Sequence, residues 1–188
     1  MFASPITYTP GFIAEPDAVF ADLWSELAWQ RRGNTPRREY YSNDVDVPYT
    51  YGRGVGEREY GNQPWHPRMR EIQHALETLT SARFEVCFLN GYENSSDQLG
   101  WHADDSPEMN DALPIAIVSL GKNAEREIWF HPQGDKQAVE KVKLQHGSLC
   151  LMHPGMQDTH FHRIPKAGFV CGERISLAFR GFVMPSTV

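Results

Sequence analysis

The sequence is poor in cysteine and has no long hydrophobic run. Its three cysteines, Cys87, Cys150 and Cys171, lie far apart beside apolar residues and without CxxC spacing. This disfavours both a disulfide framework and a zinc knuckle, and it predicts thiols in the core. No stretch of eighteen apolar residues and no charged-then-apolar leader is found. We therefore expect residues 1–188 to form a single compact domain that is monomeric, cytoplasmic and without a membrane segment.

An excess of positive charge is also missing. The formal net charge is −6 at pH 7, which argues against a protein that holds nucleic acid by bulk electrostatics. Residues 31–70 are nevertheless rich in arginine and aromatic residues, and we call them the Arg/Tyr segment. It contains Arg31, Arg32, Arg37, Arg38, Arg53, Arg58, Arg68, Arg70, Tyr40, Tyr41, Tyr49, Tyr51, Tyr60 and Trp65. Composition alone favours the simpler explanation, a solvated face with some aromatic core residues.

Hydrophobic periodicity predicts two helices in the first half of the chain. Apolar residues recur every three or four positions over residues 16–29 and again over residues 67–80, and Pro16 suits a first-turn position. The stretch between the two helices is rich in Gly, Arg and Tyr, and it predicts loops and short hairpins rather than a linker.

The second half of the chain consists of short β-like runs divided by turn residues. They cover residues 84–90, 98–102, 115–120, 127–130, 139–144, 148–152 and 174–183. This spacing predicts a mainly β fold with flanking helices, of the α+β class, in which two facing sheets form a jelly roll. The helices belong to about residues 1–83, and the jelly-roll core to about residues 84–188.

A histidine and an aspartate in GWHADDSP are candidate metal ligands. His102 and Asp104 are two residues apart, so in a strand they project on the same side. Imidazole and carboxylate suit a cation such as Fe(II), and a second histidine would complete a two-histidine, one-carboxylate triad. The candidates for it are His131, His146, His153, His160 and His162. The pair alone is a weak signal, and taken by itself it is more often a polar turn with a structural histidine.

The C-terminal run ERISLAFRGF places two arginines on one strand face. Arg174 and Arg180 are six residues apart, so both point to the side opposite the apolar residues between them. Two arginines on one face can hold a short dicarboxylate through charge-assisted hydrogen bonds. Asn90 and Tyr92 in LNGY share the same two-residue spacing and add donors. The alternative is an exposed strand face with paired charges.

Taken in order, LNGYENSSDQLGWHAD, HFHRI and ERISLAFR resemble the AlkB family of Fe(II)- and 2-oxoglutarate-dependent dioxygenases. The resemblance covers most of the chain and implies a double-stranded β-helix, or jelly-roll, core. PRREYY (residues 36–41) and PYTYG (residues 48–52) look like the nucleotide-recognition lid of the nucleic-acid-repair branch. The cofactors implied are Fe(II), 2-oxoglutarate and O2, and the partner implied is methylated DNA or RNA.

The resemblance also implies roles for individual residues. The iron ligands would be His102, Asp104 and His162, with His160 as the rival for the third position. The groups that grip 2-oxoglutarate would be Asn90, Tyr92, Arg174 and Arg180. We expect Arg174 at the far carboxylate and Arg180 near the iron.

Substrate recognition is implied for a third set of residues. Tyr51 aligns with the aromatic residue that stacks on the flipped base, and Tyr49 and Arg37 align with neighbouring pocket positions. Ser106 occupies the position where base-repairing relatives usually carry an acidic residue, and Glu108 could reach back toward the same place.

The function implied is oxidative demethylation of N-alkylated bases of the 1-methyladenine and 3-methylcytosine type, with release of formaldehyde, succinate and CO2. A 2-oxoglutarate oxygenase that acts on a protein or a small molecule is the alternative. A cupin-like metal-binding jelly roll is a third possibility, but it would leave the paired arginines without a purpose.

Overall fold

A computed structural model of the protein describes residues 5–33, 35–46, 48–51 and 58–183. In chain order its helices and strands are β1 (Ile6–Thr9), α1 (Pro16–Glu26), β2 (Arg38–Asn43), β3 (Tyr49–Tyr51), β4 (Arg58–Tyr60), α2 (Pro67–Thr80), β5 (Val86–Tyr92), β6 (Leu99–His102), β7 (Ile115–Leu120), β8 (Arg126–Pro132), β9 (Glu140–Leu144), β10 (Ser148–Met152), α3 (Met156–Thr159), β11 (His160–Ile164) and β12 (Arg174–Arg180). The mainly β fold with flanking helices that the sequence predicts is confirmed.

The strands form two main antiparallel sheets and a separate hairpin. The larger sheet has the order β1-β10-β7-β12-β5-β2, the smaller one has the order β6-β11-β8-β9, and β3 pairs with β4. One apolar cluster joins strands of both sheets, with Ile117 and Cys150 from the larger and Ile128 and Phe130 from the smaller. The two sheets therefore face each other across a common core, as a jelly roll requires.

The central strand β12 separates two environments. All seven of its residues are buried, so its sequence does not show the usual alternation of polar and apolar exposure. Ile175, Leu177 and Phe179 belong to the cluster that also contains the buried residues of both long helices. Because side chains alternate along a strand, Arg174 and Arg180 project from the opposite face, toward the smaller sheet. Charged residues are rarely buried without partners, so this inner face is where a site is expected.

The helix α2 has the bounds that the sequence predicts, whereas α1 is shorter. His66 caps α2 by accepting a hydrogen bond from the Arg68 backbone amide at 3.1 Å. The helix α1 ends at Glu26 instead of residue 29, because Leu27 has an extended backbone with φ −73° and ψ 139°. This turn allows the Trp29 indole to donate to the Leu23 carbonyl at 3.2 Å.

Two strands in the first part of the chain were not predicted. The strand β1 pairs with β10 at one edge of the larger sheet, and β2 forms the other edge through its pairing with β5. Residues 38–41 of PRREYY therefore belong to an edge strand of the larger sheet, in which five of the six residues are buried, and the interpretation of PRREYY as part of a lid stays a prediction. The polar sequence of β2 did not predict a strand because its one buried charged residue, Glu39, is paired with Arg37 and hydrogen-bonded to the distant Tyr60.

Two further expectations can be compared with the structure. Cys87 and Cys150 are fully buried, where burial raises the pKa of Cys150 to about 12, but Cys171 is only partly buried. The expectation that all three cysteines are core thiols is therefore wrong for Cys171. Among the described residues, every helix is too short or too polar to cross a bilayer.

Candidate functional site

Pairing of β6 with β11 brings two histidines together. His162 lies directly opposite His102 in the antiparallel register, and their ring centroids are 4.2 Å apart. Asp104 follows β6 and completes a group in which one ligand atom from each residue lies within 4.8 Å of the others. His160 is outside this group. Its ring instead contacts the Thr159 hydroxyl at 2.9 Å. The geometry therefore favours His162 over His160 as the third ligand.

The charge states of His102, Asp104 and His162 favour the binding of a cation. Burial opposes ionisation of Asp104, but the charges of Arg180 and the two histidines hold the pKa of Asp104 well below its usual range. Burial lowers the pKa of His102, and burial together with His102 lowers the pKa of His162 to about 3. Both rings are therefore neutral near pH 7, which is the form in which imidazole binds a metal.

Neighbouring backbone and side-chain groups orient the ligands. His102 Nδ1 donates to the Gly100 carbonyl at 2.8 Å, so its other ring nitrogen carries the lone pair. Arg180 donates to Asp104 Oδ2 from Nε at 3.1 Å and from Nη2 at 2.7 Å. The Asp104 amide donates to Gln157 at 2.9 Å. Two neutral imidazoles and one carboxylate fit Fe(II).

A second polar group lies farther along the inner face of the larger sheet. Arg174 is 1% exposed, donates to the Ser119 hydroxyl and lies 5.1 Å from the centre of the Tyr92 ring. Burial lowers the pKa of Arg174 to about 10. Among the described residues, Arg174 Nη1 and Tyr92 Oη are buried without a hydrogen-bond partner. Two unpaired donors beside a buried positive charge fit the carboxylate of a small ligand.

A cavity connects the metal-ligand group with residues of four other strands, β3, β4, β5 and β12. Its lining includes His102, Asp104 and Arg180 together with Asn90 of β5. The aromatic residues Tyr49, Tyr60 and Phe88 and the guanidinium of Arg37 complete most of the wall. The structure therefore brings together residues of all three sequence-predicted sets.

The predicted substrate-binding residues differ from one another in their surroundings. Tyr49 is 2% exposed, stacks on Tyr41 at 5.5 Å and shares a hydrogen bond of 3.1 Å with the Ser106 hydroxyl. Glu108 has one buried carboxylate oxygen, Oε2, without a hydrogen-bond partner among the described residues. The side chain of Tyr51 lies outside the described part of the chain.

The arginines of the Arg/Tyr segment are largely neutralised by acidic neighbours. Those within 4.0 Å of a carboxylate oxygen are Arg31, Arg37, Arg38, Arg58, Arg68 and Arg70. Arg32 instead contacts the Glu59 carbonyl and lies 4.5 Å from the centre of the Tyr60 ring. The segment is therefore a network of ion pairs and buried tyrosines rather than a bare basic patch.

Sequence reasoning missed Tyr60, Phe88 and Leu99 in the lining of the cavity, and Glu39 beside it. Phe88 could have been found, since it precedes Asn90 by two residues in the same strand. Tyr60 and Glu39 could not, because their places depend on pairing between distant strands: Glu39 lies opposite Asn90, and Tyr60 donates to Glu39.

The fold and the site define a class of protein. A jelly roll that carries two histidines and one carboxylate, with buried arginines beside them, is the arrangement of a mononuclear Fe(II) oxygenase. A family model described as the 2OG-Fe(II) oxygenase superfamily matches residues 22–180, and the chain belongs to this family. The cofactors expected from the sequence, Fe(II), 2-oxoglutarate and O2, are those that the family uses.

Individual relatives place the chain beside AlkB proteins. It is 32% identical over 191 residues to alpha-ketoglutarate-dependent dioxygenase alkB homolog 3 of Bos taurus, covering 94% of this chain and 66% of the relative. It is 28% identical to the DNA oxidative demethylase ALKBH2 of Mus musculus, covering 89% and 75%. The chain thus spans just under two thirds of the length of the alkB homolog 3 relative. The resemblance to the AlkB family is confirmed.

A solved structure supports the fold. The structure of OsALKBH1 superposes with a TM-score of 0.67 at 15% identity, covering 96% of this chain and 98% of the other. At this identity the likeness concerns the fold alone, and it confirms the predicted jelly roll.

Proposed function

We propose that the protein is an Fe(II)- and 2-oxoglutarate-dependent dioxygenase that demethylates N-alkylated bases of the 1-methyladenine and 3-methylcytosine type in DNA or RNA. The products are formaldehyde, succinate and CO2. The observation that carries the proposal is the single cavity in which His102 and Asp104 meet the aromatic residues Tyr49 and Tyr60. The relatives named as DNA oxidative demethylases support the same substrate class.

The metal is held by His102, Asp104 and His162. With 2-oxoglutarate and O2, bound Fe(II) supplies the oxidising chemistry that removes the methyl group. The protein contributes the geometry: the pairing of β6 and β11 sets the distance between the two histidines. Arg180 holds one oxygen of Asp104, which leaves the other oxygen for the metal.

The cosubstrate is held by Asn90, Tyr92 and Arg174, with Arg180 at the end nearest the metal. The Nη1 of Arg174 and the hydroxyl of Tyr92, which have no hydrogen-bond partner among the described residues, would donate to one carboxylate of 2-oxoglutarate. Water is excluded there, since Tyr92 and Arg174 are 0% and 1% exposed, so each charge-assisted hydrogen bond is strong.

The methylated base enters from the side of the β3–β4 hairpin. A base inside a duplex or a stacked strand must be extruded to reach buried ligands, and aromatic side chains then replace its stacking partners. Tyr51 provides that stacking, with Tyr49 and Arg37 beside it. Ser106 and the unpaired Oε2 of Glu108 are acceptors for an exocyclic amine of the base.

A second candidate function is a 2-oxoglutarate oxygenase that acts on a protein or a small molecule. The neutralised arginines of the Arg/Tyr segment and the net charge of −6 favour it, because a phosphate backbone is held by free cations. A peptide or a metabolite would not need them.

The two candidates are separated by mass spectrometry of the substrate. Protein, Fe(II), 2-oxoglutarate and ascorbate are incubated with 1-methyladenine oligonucleotides of DNA and of RNA, and loss of the methyl group is measured on each. We expect demethylation by the unchanged protein and none by His102→Ala. Turnover of 2-oxoglutarate without demethylation of either oligonucleotide would reject the repair activity. It would favour the second candidate, an oxygenase that acts on a protein or a small molecule.

A further inference from the structure

A buried carboxylate at the edge of the larger sheet has no place in the chemistry described so far. Glu39 is 1% exposed, and its Oε1 lies 2.9 Å from Arg37 Nη2. Its other oxygen accepts a hydrogen bond from the Tyr60 hydroxyl at 3.0 Å. A buried carboxylate is costly unless it is paired and hydrogen-bonded, so Glu39 holds Arg37 and Tyr60 in fixed positions.

Arg37 in turn controls the orientation of Asn90. Its Nε donates to Asn90 Oδ1 at 2.5 Å, within a site where both side chains are buried. Arginine has donors only, so the amide of Asn90 must present its oxygen to Arg37. The NH2 group of Asn90 is then the part of the amide that a bound carboxylate can use.

The position of Asn90 makes the orientation of its amide important for a bound ligand. Asn90 lines the cavity with His102 and Asp104, and Tyr92 follows two residues later on the same face of β5. In the larger sheet it lies opposite Glu39 on one side and opposite Ser176 on the other. Asn90 therefore lies between the Arg37–Glu39 ion pair and the face of β12 that carries Arg174.

We propose that Arg37 and Glu39 are positioning residues that set the amide of Asn90 for 2-oxoglutarate, so that Arg37 serves the cosubstrate rather than the base. This rests on the proposed function for the place of 2-oxoglutarate. Tyr60, on the β3–β4 hairpin, is the outermost member of the chain of contacts that runs through Glu39 and Arg37 to Asn90.

The test is a double-mutant cycle read by calorimetry. 2-Oxoglutarate is titrated into Mn(II)-loaded protein, and its Kd is measured for Arg37→Met, Asn90→Ala and the combination. We expect each single change to weaken binding by about tenfold, the loss of one charge-assisted hydrogen bond. Because Arg37 acts through Asn90, the combination should be no weaker than Asn90→Ala alone.

Arg38→Met is the matched control. Arg38 follows Arg37 in the chain but pairs with Glu93 and is half-exposed, so its removal should leave the Kd of 2-oxoglutarate unchanged. Arg37→Met leaves Glu39 buried with only the more distant Arg58, at 4.0 Å, as an ion-pair partner, and this loss can prevent folding. The combination of Arg37→Met with Glu39→Met removes both charges, and it should show the same loss of affinity in a folded protein.

Two results would overturn the proposal. One is additive losses in the cycle, which would mean that Arg37 and Asn90 act separately. The other is an unchanged Kd for 2-oxoglutarate in Arg37→Met together with weaker binding of a 1-methyladenine oligonucleotide. This result would assign Arg37 to recognition of the base instead. Failure of the unchanged protein to demethylate any oligonucleotide, with the cycle as expected, would reject the repair activity and keep the positioning role.

Discussion

Arg174 and Arg180 lie at the two ends of β12, on the same face, but their ion-pair and hydrogen-bond partners differ. Burial opposes the charge of Arg180, but Asp104 raises its pKa above the usual value through two hydrogen bonds. Arg174 has no carboxylate within 4.0 Å among the described residues, and its Nη1 has no partner there. Arg180 is therefore neutralised within the folded protein, whereas Arg174 is a buried cation without a carboxylate partner among the described residues, and we propose that it binds an anion from solution.

The free energies follow from the same difference. A buried donor without a partner costs about 1–3 kcal/mol, and this cost is removed when a ligand carboxylate arrives. The folded protein therefore keeps Arg174 at the expense of stability. Removal of Arg180, in contrast, would leave Asp104 as an uncompensated buried charge.

The largest effect is expected at Asp104. Asp104→Ala removes one metal ligand and leaves Arg180 buried without its partner, so we expect metal binding to be lost and the free energy of unfolding to fall by about 3 kcal/mol. His102→Ala removes a ligand without breaking that ion pair and should abolish demethylation with little change in stability. Urea denaturation and Fe(II) titration measure the two quantities. Equal losses of stability in both variants would contradict the role of Arg180.

The next effect is expected at Arg174. Arg174→Met removes the charge prepared for the cosubstrate, and we expect the Kd of 2-oxoglutarate to rise by about a hundredfold. Because Arg174 has no ion-pair partner, the melting temperature should stay unchanged or rise. Arg180→Met is the comparison, and it should lower the melting temperature. If Arg174→Met is the less stable of the two, the division between structural and ligand-binding arginines is wrong.

A smaller effect is expected from the ligand itself. 2-Oxoglutarate at a hundred times its Kd should stabilise the Mn(II)-loaded protein by about 2.7 kcal/mol, seen as a rise in melting temperature. The same concentration should give almost no rise in Arg174→Met and a clear rise in Arg38→Met. A full rise in Arg174→Met would place the carboxylate elsewhere.

The smallest effects are expected at the tyrosines of the hairpin. Tyr51→Ala should weaken binding of a 1-methyladenine oligonucleotide by about tenfold, the value of one lost stacking contact, and leave the Kd of 2-oxoglutarate unchanged. Tyr51→Phe, which keeps the ring, is the control. Tyr49→Phe keeps the ring, loses the hydrogen bond to Ser106, and should weaken oligonucleotide binding by less. Fluorescence anisotropy measures both.

Much of the candidate site could be read from local patterns. His102 and Asp104 are neighbours in sequence, and the alternation of β12 assigns Arg174 and Arg180 to one face without knowledge of the fold. The choice between His160 and His162 could not be made in this way, since both point to the same side of one strand. It depends on the register between β11 and β6, which places His162 opposite His102.

Periods of two and of three to four residues were enough to predict the β character of the second half, the bounds of α2 and the residue types of a metal and carboxylate site. Pairing between distant strands, which such periods do not encode, places Glu39 opposite Asn90 and residues 38–43 at the edge of the larger sheet. The tertiary structure also pairs the arginines near them with carboxylates. The cause is that a buried charge is tolerated only with partners, and Glu39 has one partner nearby in the sequence, Arg37, and another on a different strand, Tyr60.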